Sequence, residues 1–220
     1  VIISQWRPWG RFDLPMPALA IFWAWIALLL TSYCLPWVMN VGNGLTINAY
    51  DLAEWASLSP TVRAQPLLYT ALFLRLPLVM LTGFIALVAP PRFNGLWLYH
   101  AAICFLLVMA QLPPLEFLNQ LNDPNYQQQF ALALVSSIIA VIGLSGGLQP
   151  IRFLLMVGMT LVTGITLAVG YGQAIRVMQS LHLPAAIGVG FVGMLGLWSL
   201  WLVYSGVQLI TRHRAASPPP

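Results

Sequence analysis

Arg75 stands inside a long apolar stretch of the sequence, and no Asp or Glu lies within that stretch or within five others like it. An arginine at such a depth costs about 2.5 kcal/mol or more on insertion scales, so it needs a reason to be there. Its guanidinium presents several donors in a planar fork and cannot deprotonate. That chemistry suits a carboxylate, a phosphate or a carbonyl oxygen. Two readings follow. Either Arg75 meets a partner outside the chain (a neighbouring subunit, a lipid phosphate or a quinone carbonyl), or it snorkels outward toward Asp51, Glu54 or Glu116.

His100 is the one histidine inside an apolar stretch, since His182 and His213 fall in a loop and in the tail. A membrane haem needs two facing histidines, so this chain alone is expected to hold no haem or metal. His100 reads as a hydrogen-bonded core side chain or as a contact to a partner. Cys34 and Cys104 form no CxxC pair and are expected to be free, small, buried hydrophobes. Neither a phosphate-binding loop nor an H-E-x-x-H helix occurs. With no acid in the apolar stretches, a proton relay or cation site of the usual kind is not expected either. A quinone or lipid contact stays open.

Small residues supply the remaining signal. Gly143-x-x-x-Gly147 and Thr160-x-x-x-Gly164 have the spacing that lets helix backbones approach closely. Packing within one bundle explains them, and docking to another subunit would use the same faces. Outside the apolar stretches, residues 48–58 read as a short helix capped by Asn48, with Leu52, Trp55 and Ala56 on one face. In residues 114–121, Leu115, Leu118 and Leu121 recur every third position. Both segments read as interfacial helices on the outer leaflet or against a partner, with Trp55 a candidate contact.

These residues must be positioned by membrane helices. Of 220 residues, 60% are hydrophobic and 6% charged, a balance that leaves nothing to cover a water-soluble surface. Six stretches, 17–37, 66–88, 96–112, 130–148, 151–171 and 185–210, approach the roughly 20 apolar residues that cross a bilayer. They are continuous rather than alternating, so the expected fold is an all-α integral membrane protein of six transmembrane helices. Pro77, inside the second stretch, should kink it. The expected organisation is a segment 1–16, a helical domain 17–210 and a Pro-rich tail 211–220.

The arginines set an orientation. With the N-terminus inside, Arg7, Arg11, Arg92, Arg152, Arg212 and Arg214 are cytoplasmic, and only Arg63 and Arg176 are outside. Asp51, Glu54, Glu116 and Asp123 then fall outside as well. The positive-inside rule therefore favours both termini in the cytoplasm.

A Lys-free, Trp-rich chain of six helices with short cytoplasmic hairpins resembles an accessory membrane subunit of a bacterial energy-transducing complex. The alternative complex III family of quinol oxidoreductases is one such assembly. The resemblance covers architecture over the whole chain and rests on no diagnostic motif. It implies a non-catalytic place beside redox subunits and transfers no functional residue. A permease or transporter component is the other reading, although the polar lining it would need is thin: Arg75, His100, Gln111, Ser136, Ser137 and the threonines of the fifth stretch.

Overall fold

The computed structural model describes residues 16–40, 44–90 and 93–216. The chain is mostly helical, in the order α1 (Met16–Cys34), α2 (Ala49–Leu58), α3 (Pro60–Arg63), α4 (Tyr69–Val88), α5 (Gly95–Met109), α6 (Pro124–Leu144), α7 (Arg152–Ser180) and α8 (Val189–Ala216). A 3-10 helix, Leu115–Asn119, precedes α6. Three short strands, β1 (Val38–Asn40), β2 (Leu45–Ile47) and β3 (Ala186–Ile187), correct the all-α expectation. They form one antiparallel sheet in the order β2-β1-β3, with Val38 opposite Ile47 on one side and Ile187 on the other.

Among the described residues, four helices are long and apolar enough to cross a membrane: Tyr69–Val88, Pro124–Leu144, Arg152–Ser180 and Val189–Val207. Two of the six expected spans are shorter as apolar helices, Leu19–Cys34 and Gly95–Met109. The 15 residues of α5 rise about 22 Å, less than the roughly 30 Å of a hydrocarbon core. Of the expected segment 1–16 only Met16 is described, whereas α8 runs through Ala216 into the expected tail 211–220.

Helix ends follow local chemistry more than hydropathy. Asp123 caps α6 by accepting the Asn125 N–H at 2.8 Å, and Pro124 takes the first helical position. The helix therefore starts six residues before the apolar stretch, which began at 130. Leu68, with a left-handed φ of 44°, bars α4 from starting earlier. Inside α4, Pro77 removes the donor for the Phe73 carbonyl. One residue on, the Leu74 carbonyl accepts the Tyr33 hydroxyl of α1 at 3.2 Å.

At the centre of the bundle is α4, which packs against α2, α5, α6 and α7. In its most apolar 18-residue window 72% of residues are buried, against 33% in α6 and α7 and 22% in α8. The outer faces of those three helices are thus left to lipid or neighbours. On the far side α8 joins α1 and α7. There Trp25, Phe84, Trp198 and Trp201 interlock with ring centroids 4.8 to 5.6 Å apart. Of these tryptophans, Trp198 is buried in the core, and Trp25 and Trp201 pack half-buried against it.

Three links gather the connecting segments at one end of the bundle. The β1–β3 pairing joins the segment after α1 to the one after α7. Arg63 and Asp123 form an ion pair at 3.1 Å. The third link is the packing of α2 on α4. The first expected interfacial helix is therefore not lying on the leaflet: Ala49, Leu52, Ala53 and Ala56 have no exposed surface. By contrast, Leu115, Leu118 and Leu121 on the second segment are 84%, 70% and 56% exposed.

Where α8 begins, two glycines let it touch the chain after α1. A Cβ at Gly188 would lie 2.1 Å from the Pro36 carbonyl oxygen, and one at Gly190 would lie 2.5 Å from that of Leu35. Backbone cannot yield as a side-chain tip can. We predict that Gly188→Ala and Gly190→Ala each lower stability by about 1–3 kcal/mol, read as thermal unfolding in detergent. Gly158→Ala, where a Cβ meets nothing within 4 Å, serves as the control; equal losses at all three positions would refute the close-packing account.

Candidate functional site

The polar centre of the molecule is assembled from three helices around Arg75. Arg75 lies six residues into α4, about 9 Å below its N-terminus, and is only 3% exposed. Glu54 comes from α2, which its Asn48 cap fixes at the N-terminus: Asn48 Oδ1 accepts the Asp51 N–H at 2.9 Å, and its amide donates back to the Asp51 carboxylate at 2.8 Å. Asn125, Gln128 and Gln129 come from the first two turns of α6. Their spacing of three and four residues puts all three on the face turned toward α4.

The guanidinium is held at both ends of its fork. Arg75 Nη2 donates to Glu54 Oε1 at 2.7 Å and to Asn125 Oδ1 at 2.8 Å, while Nη1 donates to Gln128 Oε1 at 2.8 Å. The acceptors are tied to one another. Asn125 Nδ2 donates to Glu54 Oε2 at 2.9 Å, and Gln129 Nε2 donates to Glu54 Oε1. Gln128 Nε2 donates to the Leu67 carbonyl at 2.5 Å, next to the left-handed Leu68 that starts α4. Glu54 thus receives three side-chain donors, and its side chain keeps 33% exposure.

Around this cluster the same end of the bundle is further stitched. Arg63 Nη2 reaches Asp123 Oδ2 at 3.1 Å, and its Nε donates to the Ser57 carbonyl. That pair is exposed enough to contribute at most about 1 kcal/mol. Tyr50 of α2 borders the cluster. Its phenol is held above its ordinary pKa, first by burial and then by the Glu54 carboxylate, with Arg75 opposing. It therefore remains a neutral hydroxyl well into alkaline solution. One layer deeper, Ser136 Oγ donates to Gln111 Oε1 at 2.8 Å, joining α6 to α5.

Of the two readings of Arg75, the structure shows the internal one: its guanidinium pairs with Glu54. The counter-charge is in the chain, and one of the three acids within snorkelling range supplies it. His100 is also inaccessible, with 0% exposure. Its Nδ1 lies 2.8 Å from the Leu96 carbonyl, which can only accept, so Nδ1 carries a proton. The Trp23 ring stands 5.0 Å away, edge-on. Among the described residues, no three of His, Cys, Asp and Glu converge as metal ligands would.

The other sequence candidates fall in separate places. Gly143 is an internal contact, where a Cβ would lie 2.6 Å from that of Ala86 on α4. Gly147 is exposed in the turn before α7, and Trp55 is half-buried on α2. Thr160 and Gly164 do share a feature: they line a groove of about 210 Å³ between α7 and α8. A Cβ at Gly164 would meet nothing within 4 Å. Sequence reading missed Asn125, Gln128 and Gln129. The signal was the polar run 125–129 directly behind a Pro-marked helix start.

Compared with known proteins, the chain matches no family model, no curated protein and no solved structure.

The cluster predicts an asymmetry between its two charges. Removing Glu54 leaves a buried guanidinium without a counter-ion, a loss of about 3 kcal/mol or more. Removing Arg75 leaves a carboxylate that water can reach, so Arg75→Met should cost less than Glu54→Ala. In a double-mutant cycle read by unfolding in detergent, the pair should cost less than the sum of the single changes. Strict additivity would mean that the two groups do not interact.

Proposed function

We propose that this chain is a non-catalytic accessory subunit of a larger membrane assembly, a scaffold that stabilises its neighbours. The observation that carries this reading is the internal use of the polar groups. The Arg75 fork, Glu54, Asn125 and Gln128 bond to one another, and Gln111 bonds to Ser136. Such an arrangement holds helices together and leaves little polar lining for a substrate path. The permease reading needs that lining.

Partner contact then belongs to faces that the bundle leaves open. The α7–α8 groove carrying Thr160 and Gly164 is one, since small residues let a neighbouring helix approach. The exposed leucines of residues 115–121 are another, at the end where the connecting segments gather. All six apolar helices cross the membrane in this reading, with α1 and α5 at the short end of the range and a locally thinned bilayer or a neighbour making up the difference. Both termini are cytoplasmic, as the arginine distribution favours, and the membrane is the bacterial inner membrane. The resemblance of overall architecture supports an electron-transfer complex as the setting, with redox chemistry in other subunits.

Solubilisation in a mild detergent tests the proposal. The chain should co-purify at fixed stoichiometry with redox subunits, and Gly164→Leu should weaken that association while the isolated chain still folds. A chain that runs alone and binds a solute would favour the permease reading instead.

A further inference from the structure

Gln111 follows the end of α5 by two residues, and its side-chain oxygen accepts the Ser136 hydroxyl at 2.8 Å. On α6, Ser136 comes six residues after Phe130, where the polar run 125–129 gives way to apolar residues. The helix α5 therefore stops about 9 Å short of that changeover, at 1.5 Å per residue. Beyond it the chain climbs back along α6, and three contacts fix its height. Phe117 stacks on Phe130 with ring centroids 5.7 Å apart and meets the Tyr126 ring edge-on at 6.4 Å. The Leu121 carbonyl accepts the Gln127 side-chain amide at 2.8 Å. The 3-10 helix thus lies level with the changeover on α6, and the exposed Leu115, Leu118 and Leu121 lie there with it.

The climb suits a place without water. It is made by Leu112, Pro113 and Pro114, and a residue that precedes proline is held extended. Pro114 itself has φ −62° and ψ 163°. Three such residues, at about 3.1 Å each, cover the distance. Leu112 and Pro113 are half-buried against the bundle. The two prolines carry no N–H, and those of Ala110, Gln111 and Leu112 donate back to carbonyls of α5. The step therefore presents no unmet donor, the kind of group that is costly to hold in hydrocarbon.

Phe105, Leu106 and Met109 on the last turns of α5 are exposed, as are Phe130 and Leu134 on α6. The three leucines extend this apolar side up to the changeover, where the exposed Glu116, Asn119 and Asn122 alternate with them. An apolar flank that ends in such a mixed row fits acyl chains below and headgroups above. Nothing in the step asks a neighbouring protein for an acceptor, and acyl chains supply none. We propose that residues 115–121 are a lipid-interface element. Its leucines enter the acyl layer while Glu116 and Asn119 stay among the headgroups, and the Pro-Pro step completes the crossing that α5 leaves short. The lipid contact rests on the proposed membrane crossing and narrows it: lipid takes the leucines, and the α7–α8 groove remains the face for a protein neighbour.

Spin labelling of the full chain in liposomes of phosphatidylethanolamine and phosphatidylglycerol tests the contact. Cys104 is buried and Cys34 exposed, so the labels are placed in a Cys34→Ser background. Leu118→Cys and Asn122→Cys probe the element, and Leu134→Cys is the lipid-facing reference; all three positions are exposed, so the fold should tolerate them. The label at 118 should collide several-fold more often with oxygen than with a water-soluble nickel chelate, as at 134. At 122 the preference should reverse. A nickel preference at 118 beside an oxygen preference at 134 overturns the lipid contact and leaves the membrane crossing standing. A nickel preference at both positions overturns the crossing as well. In cell membranes, a photoreactive benzoylphenylalanine in place of Leu118 should give phospholipid adducts by mass spectrometry, and a cross-link to a protein instead overturns the lipid contact.

Discussion

A guanidinium carried into an apolar bundle keeps its charge, so the surrounding protein must replace the water it lost. In this chain that requirement falls on Arg75, and side chains of α2 and α6 answer it. The carboxylate comes from α2, a helix outside the apolar stretches, which must therefore lie close against α4. Closeness requires small side chains on the contact face, and Ala49, Ala53 and Ala56 supply them at zero exposure. The amide acceptors come from α6, which must begin early enough to carry three polar residues before it turns apolar. Its Asp123 cap and Pro124 set that start.

The same logic of approach governs the apolar part. Because α4 touches four other helices, its neighbours need short side chains wherever backbones converge. Gly143 meets Ala86, and Gly170 meets Phe73, beside the turn that Pro77 interrupts. Dispersion gains from such contacts grow with the number of close atom pairs, so a glycine here contributes by letting the helices close up. Where side chains are large, rings interlock instead, as Trp25, Trp198 and Trp201 do around Phe84.

Much of this was legible in the sequence, for identifiable reasons. Hydropathy finds apolar helices because lipid and core both reward the same residues, so all six were placed. It did not fix their ends, since a helix start is decided by a cap and a proline; the six residues from Pro124 to Gln129 were lost for that reason. The Asn48 cap and the apolar face of α2 were also readable. A periodic face states that something apolar lies opposite, not whether it is lipid or another helix, and so α2 was put on the leaflet or against a partner. The small sheet was invisible because strands of two or three residues carry no periodic signal. Arg75 was recognised as the singular residue. Its partners Glu54, Asn125 and Gln128 lie 21, 50 and 53 positions away, and nothing in a linear chain reports such a meeting.

The position of Glu54 explains why the apolar stretches look one-signed. A carboxylate inside a transmembrane helix would face its own insertion cost, of the same order as that of arginine. Placing it on a short helix outside the stretches avoids that step. The side chain stays partly wet, with 33% exposure, and meets Arg75 only once α2 has docked. The charge seen alone in the sequence is therefore compensated in the fold, by a group that keeps a path to water. A neighbouring subunit could reach this arginine only by displacing α2. In the proposed assembly, contact with other proteins would belong to the sides of α6, α7 and α8, where most of the surface remains uncovered by the chain itself.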